Sequence, residues 1–141
     1  MDQDDEIRGL SRTIEEVLQR HAHVLEAYLF GSQVRGEARA HSDVDVAVYV
    51  ADVNAFDEVG VAAELMSALG RDAVDLVVLN RAPPLLYHRV LRDGERVLSR
   101  DLRATTVREG EALSRYCDYV PQLAKIDRVL SARIERGDFG R

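Results

Sequence analysis

The sequence predicts an α/β domain in which short strands are interspersed with helices. Segments with helical spacing of apolar residues alternate along the chain with short segments rich in β-branched residues. The chain has 141 residues, enough for one hydrophobic core, and it shows no internal repeat and no linker rich in Gly, Ser or Pro. We therefore expect a single domain over residues 1–141.

The N-terminal third is predicted to contain two helices and one strand. Apolar residues at helical spacing predict an amphipathic helix over about 6–21. A strand is predicted over 25–30, and it leads into Gly31 and Ser32, small residues that suit a tight turn from a strand into a helix. A short helix over about 34–38 is expected to follow.

The middle of the chain is predicted to fold as strand, helix, strand and helix. β-branched residues alternate with other types over 43–50, which is typical of a strand. Apolar residues follow helical spacing over 54–69, and a near-continuous apolar strand is predicted over 73–79. The Pro83-Pro84 pair marks the start of the next helix, because proline suits the first helical turn.

The C-terminal third is predicted to be helical after a short strand over 96–98. Helical spacing continues from about residue 102, but Pro121 removes a backbone donor, so we expect two helices or one bent helix. Cys117 is the single cysteine and has no partner for a disulfide or a zinc site. We expect it to be a reduced, half-buried helix residue.

The charge balance excludes some classes of function. The formal net charge is −6, the wrong sign for electrostatic binding of bulk nucleic acid, so generic nucleic-acid binding is not expected. No apolar run approaches the roughly 20 residues that cross a bilayer, and the N-terminus is acidic where a signal peptide is basic. We therefore expect a cytoplasmic protein with no membrane partner.

One segment departs from the acidic average. Residues 81–108 hold seven arginines and three acids, a local net charge of +4. A solvated helix surface is the favoured interpretation, and a face for an acidic partner or for RNA is the alternative.

Three aspartates carry the main chemical signal. Asp43 and Asp45 are two residues apart in a strand, so their carboxylates point to the same face. Asp75 is the single charge in a later apolar strand, where burial without a partner would be costly. If the two strands are neighbours, the three carboxylates meet, an arrangement that fits two-metal phosphoryl chemistry with Asp75 accepting the proton of the acceptor.

Hard carboxylate oxygens suit Mg²⁺, whose coordination shell is often completed by substrate phosphates, so a nucleoside triphosphate is the expected companion. The turn before the aspartates can bind those phosphates. Gly31 permits close approach of the backbone, Ser32 offers a hydroxyl, and Arg35 can add a forked cationic contact.

The segment from Gly31 to Val46, Gly-Ser-Gln-Val-Arg-Gly-Glu-Ala-Arg-Ala-His-Ser-Asp-Val-Asp-Val, resembles the signature of the minimal nucleotidyltransferases of the DNA polymerase β-type superfamily. The strand around Asp75 and the Asn-Arg-Ala-Pro-Pro-Leu-Leu segment after it are similar to that family's third-carboxylate strand and the helix that follows. Gln33 is a departure, since arginine is common at that position.

This resemblance implies a nucleotidyltransferase fold: a small mixed β-sheet flanked by helices, with a core over about 24–100 and C-terminal helices over about 101–136. It implies that Asp43, Asp45 and Asp75 are the catalytic metal ligands, with two Mg²⁺ ions. Gly31 and Ser32 would hold the triphosphate of ATP, with Arg35 beside them.

The resemblance also implies a biological role, the antitoxin of a toxin–antitoxin pair that transfers AMP from ATP to a tyrosine of a HEPN-type ribonuclease. Two alternatives stay open: an antitoxin that neutralises its partner by binding alone, and an enzyme that modifies a small-molecule hydroxyl such as that of an aminoglycoside. A protein acceptor is favoured by size, because the roughly 40 residues after the Asp93-Gly94 turn are too few for a separate acceptor-binding core.

Overall fold

The computed structural model describes residues 3–31 and 43–136. The elements are α1 (Gln3–Gln19), β1 (Val24–Phe30), β2 (Val44–Val50), α2 (Glu58–Leu69), β3 (Val74–Val78), a 3₁₀ turn (Leu79–Arg81), α3 (Pro84–Asp93), β4 (Glu95–Ser99) and α4 (Leu102–Arg136). The short helix predicted over 34–38 lies outside the described residues. The other predicted strands and helices are confirmed, with shifts of a few residues at their ends.

The four strands form one mixed sheet in the order β3-β2-β1-β4. β1 pairs antiparallel with both β2 and β4, whereas β2 and β3 are parallel. Parallel neighbours need a crossover connection, and α2 provides it. The predicted mixed sheet flanked by helices is confirmed.

One face of the sheet is covered by α1 and α2. Ile14 and Leu18, one turn apart on α1, are fully buried, as is Leu65 of α2. They pack against alternate residues of β2, among them Val44 and Val46. Both helices therefore use their apolar stripes to close this side of the core.

The other face is covered by α3 and the first part of α4. Tyr28 and Phe30 of β1 share a buried cluster with Val90 of α3 and Ala112 of α4. Gly94, directly after α3, has no room for a side chain, because a Cβ there would collide with the carbonyl of Val90 and lie close to β1. This close approach seats the end of α3 against the end of β1, next to the turn that begins at Gly31.

α4 is one continuous helix that includes Pro121, so of the two predicted alternatives the division into two helices is excluded. The helix has run past the sheet by that point, and no residue from 113 to 132 is buried. Cys117 and Pro121 are both exposed, so water can satisfy the carbonyl that lacks its helical donor. Cys117 is accordingly exposed rather than half-buried.

None of the described helices is long and apolar enough to cross a membrane.

Candidate functional site

Asp45 and Asp75 lie side by side on neighbouring strands. In the parallel pairing of β2 with β3 they are direct partners, at the roughly 4.8 Å spacing of adjacent strands. Ala47 and Val77, two residues further along each strand, pack on the cluster under α3 and α4. By strand alternation, both carboxylates belong to that same face. The predicted adjacency of the two acidic strands is confirmed.

Asp43 stands just before β2, two residues from Asp45, and is exposed, as is Asp75; Asp45 is half-buried. Among residues 3–31 and 43–136, no three His, Cys, Asp or Glu side chains are gathered closely enough to hold a metal by themselves. Asp43, Asp45 and Asp75 therefore do not gather into one three-carboxylate cluster, so the expectation that all three meet is not confirmed. Two adjacent carboxylates fit Mg²⁺, which keeps waters or takes substrate phosphates as its remaining ligands.

Gly31 directly follows β1 and lies beside Asp45. Its φ is +83°, in the left-handed region that favours glycine. Phe30, the preceding residue, is the strand partner of Asp45. A Cβ on Gly31 would overlap with the Asp45 carboxylate, so the backbone of the turn lies against the acid. Of the other residues predicted to bind phosphate, Ser32 and Arg35 lie outside the described residues.

A cavity of about 190 Å³ adjoins this arrangement, lined by Phe30, Gly31, Asp45, Arg89 and Asp93. Arg89 and Asp93 were missed by the sequence reasoning as site residues. They are four residues apart on α3, so they share one helix face. Charged residues at this spacing are common on exposed helix faces, so no local signal singled them out.

Five of the seven arginines in residues 81–108 have partners within the protein. Four form ion pairs: Arg81 with Glu58, Arg92 with Asp93, Arg96 with Glu109, and Arg108 with Glu26. Arg100 donates to four carbonyls between the end of α1 and the start of β1, those of Leu18, Gln19, His21 and Val24. Six of the seven arginines are exposed and Arg108 is half-buried, which agrees with the favoured interpretation as a solvated surface. Four of the five partnered guanidinium groups also link separate parts of the chain. Arg89 and Arg103 form no ion pair with another described residue.

A second cavity, of about 480 Å³, lies on the other side of α3, where Tyr28, His88, Arg96 and Glu109 are among its lining residues. The Tyr28 hydroxyl donates to Glu109 Oε2 at 2.7 Å. Burial, together with that carboxylate, raises the pKa of Tyr28 far above its usual value, so the phenol stays protonated. Of the predicted site residues that the structure describes, Gly31, Asp43, Asp45 and Asp75, none lines this cavity. The hydrogen bond between Tyr28 and Glu109 links β1 with α4.

Comparison with known proteins gives the site its context. The family model described as polymerase beta, nucleotidyltransferase matches residues 12–103, a span that includes all of the predicted site residues. A relative from Methanocaldococcus jannaschii, provisionally named protein adenylyltransferase MJ0435, is 34% identical over 93 residues, which cover 65% of this chain and 98% of the relative.

Solved structures show the same fold. A toxin–antitoxin crystal structure with AMP-PNP matches with a TM-score of 0.73 and 29% identity, covering 85% of this chain and 98% of the other. A complex of the tri-AMPylated Shewanella oneidensis HEPN toxin with its MNT antitoxin matches with a TM-score of 0.68 and 27% identity, covering 87% of this chain and 98% of the other. Because the family model spans all four strands of the sheet, including both acidic strands, the chain belongs to the polymerase beta nucleotidyltransferase family.

Proposed function

We propose that this nucleotidyltransferase transfers AMP from ATP to a tyrosine hydroxyl of a partner HEPN-type ribonuclease toxin, and so acts as its antitoxin. The observation that carries the proposal is the pairing of Asp45 with Asp75 beside the Gly31 turn, which puts two carboxylates, of the kind that bind Mg²⁺, next to a backbone able to approach phosphates. The named relative carries the provisional name protein adenylyltransferase, and one structural neighbour holds an AMPylated HEPN toxin. Both support AMP as the transferred group and a protein as the acceptor.

In this proposal Asp43, Asp45 and Asp75 hold two Mg²⁺ ions, and the turn at Gly31 and Ser32, with Arg35 from the same segment, holds the triphosphate. Bound Mg²⁺ supplies charge neutralisation at the phosphates and at the attacking oxygen. The protein contributes position: the fixed strand pairing holds two carboxylates in register, and the turn holds the nucleotide against them. Transfer to a phosphate centre depends mainly on such positioning and on charge neutralisation.

The reaction forms one bond and breaks one. The phenolic oxygen of the acceptor bonds to the α-phosphorus, the bond from that phosphorus to the bridging oxygen of the β-phosphate breaks, and pyrophosphate leaves with the electron pair. Asp75 accepts the phenolic proton. Its side chain is exposed at the strand edge, where a tyrosine on another protein can reach it.

Labelled ATP tests the proposal directly. The purified protein is incubated with Mg²⁺ and an extract of its source cells, once with α-labelled and once with γ-labelled ATP, and the products are separated on a denaturing gel. We expect one protein band that carries only the α-label. Asp43→Asn with Asp45→Asn should abolish the band while the protein stays folded, because the carboxylates that hold the metal are lost.

The matched control is Asp118→Asn with Asp127→Asn, an equal change of charge on exposed residues of α4 that should leave the band intact. An antitoxin that acts by binding alone would give no band and would still neutralise its partner after the Asp43 and Asp45 changes. An enzyme acting on a small hydroxyl compound would place the α-label on a species that passes a size filter. Either result would overturn transfer to a protein.

A further inference from the structure

The proposed metal ligands are three aspartates, and Arg35 is the cation proposed beside the phosphates. A bound nucleoside triphosphate brings about four negative charges and two Mg²⁺ ions bring about four positive ones, so the three aspartates and Arg35 leave the site with an excess of roughly two negative charges. Charge then moves toward the bridging oxygen as pyrophosphate departs. A cation close to the leaving phosphates would lower the cost of that step.

Arg89 is placed to supply that cation. It lines the 190 Å³ cavity together with Gly31 and Asp45, one residue from the turn proposed to hold the phosphates and one proposed to hold metal. Asp93 lines the same cavity, but both of its carboxylate oxygens accept hydrogen bonds of 2.9 Å from Arg92. The acid beside Arg89 is thus already neutralised by another arginine.

Arg89 is also available. It is exposed, and it forms no ion pair with another described residue, whereas five neighbouring arginines of the same segment are held by carboxylates or carbonyls. α3 fixes its position, since the helix is anchored by buried Tyr87 and Val90 and by the close packing at Gly94. A guanidinium group on a rigid helix offers a fork of donors that matches two phosphate oxygens.

We propose that Arg89 binds the β- and γ-phosphates of the nucleotide and holds the pyrophosphate as it leaves. The proposal for Arg89 rests on the proposed function, which supplies the nucleotide. It adds to that site a residue outside the Gly31–Ser32 turn and the three aspartates. The β- and γ-phosphates are favoured over the α-phosphate because negative charge develops on the departing pyrophosphate, where a cation lowers the cost of the step, and Arg89 shares its cavity with Gly31 and Asp45.

Binding measurements test this assignment without requiring transfer. Calorimetry would compare Mg²⁺-pyrophosphate, Mg²⁺-AMP-PNP and AMP for the unaltered chain and for Arg89→Gln. We expect pyrophosphate and AMP-PNP to bind at least about tenfold more weakly to the variant, the loss of one charged bidentate contact, with AMP changed less than about twofold. Arg89→Lys should recover part of the loss, because lysine keeps the charge but not the fork.

The matched control is Arg103→Gln, which removes the same charge from another exposed arginine on α4 that has no ion pair with a described residue. Unchanged pyrophosphate binding in Arg89→Gln, an equal loss in Arg103→Gln, or an equal loss for AMP would each overturn the assignment. If no AMP reaches a protein acceptor while pyrophosphate binding still depends on Arg89, the proposed acceptor is wrong and the phosphate contact stands.

Discussion

At Gly31, both the backbone conformation and the proposed chemistry require a residue without a side chain. Its positive φ costs an L-residue about 1–2 kcal/mol, and a side chain there would also overlap with the Asp45 carboxylate. We predict that Gly31→Ala lowers the free energy of unfolding by about 2–3 kcal/mol and weakens Mg²⁺-ATP binding at least tenfold, because Asp45 must move. Urea unfolding and calorimetry would measure the two effects.

Gly70 provides the control for conformation alone. It ends α2 with a φ of +63°, and a Cβ there would meet nothing within 4 Å. Gly70→Ala should therefore cost only about 1 kcal/mol, with ATP binding unchanged. Equal losses of binding in the two variants would show that the overlap with Asp45 has no role.

Residues with local signals were predictable from the sequence, and residues defined by tertiary contacts were not. The two-residue spacing of Asp43 and Asp45 fixes a shared strand face wherever the strand lies. Arg89 becomes notable only when α3 is placed beside Gly31, which no local pattern encodes. Glu26 was equally hidden, because a glutamate in a short strand gives no indication that it is completely buried.

At the scale of elements, the contact between β1 and α4 depends on that buried glutamate. Glu26 accepts two hydrogen bonds from Arg108, at 2.6 and 2.7 Å, and one from Thr105 at 3.0 Å. Both donors lie on the first part of α4. Since the Glu26 side chain has no exposed surface, its charge depends on these donors rather than on water.

We predict that Arg108→Ala lowers the free energy of unfolding by about 3–5 kcal/mol, because it leaves a buried carboxylate without its cation. Guanidinium unfolding followed by circular dichroism would measure this. Arg103→Ala, on the same helix but without an ion pair to a described residue, should change stability by less than about 0.5 kcal/mol. Replacing both members of the pair by leucine should destabilise less than Arg108→Ala alone, and the opposite order would contradict the argument.

The sequence predicted which segments are helices and strands better than it predicted that α4 is continuous. Pro84 begins α3 as the Pro83-Pro84 pair predicts, because its fixed φ suits the first turn and no backbone donor is needed there. Pro121 was expected either to split this helix or to bend it, and the helix continues to Arg136 without being split. The loss of one backbone hydrogen bond is local, and at an exposed position water replaces it.

At the scale of the molecule, the sheet order could not be deduced from composition and periodicity. β2 pairs in parallel with β3, and β1 lies between β2 and β4. This order depends on packing between segments far apart in sequence, including the four helices that cover the two faces of the sheet. The resemblance to a known family supplied the mixed sheet before the structure did. The predicted site depended on this level of organisation, since Asp45 and Asp75 are 30 residues apart in sequence and meet only through strand pairing.

The molecule also divides into a packed core and a helix that extends beyond it. From residue 113 to residue 132 no side chain is buried, and Val120, Ile126, Val129 and Leu130 are exposed. The contacts of α4 with the core come earlier, from Thr105, Arg108 and Ala112, and from Tyr116, whose ring stacks on His88 at 3.6 Å. The folding free energy of the sheet and its helices should therefore be nearly independent of the distal half of α4.

We predict that a chain ending at Tyr119 melts within about 3 °C of the full chain and binds Mg²⁺-ATP equally well, because the truncation removes neither core nor site residues. A chain ending at Glu109 is the matched control: it loses Ala112 and Tyr116 and should melt at least about 10 °C lower. Calorimetric melting of the three chains measures the difference. A large loss on truncation at Tyr119 would mean that the distal helix stabilises the folded domain through contacts outside the described core, and the division into core and extension would be wrong.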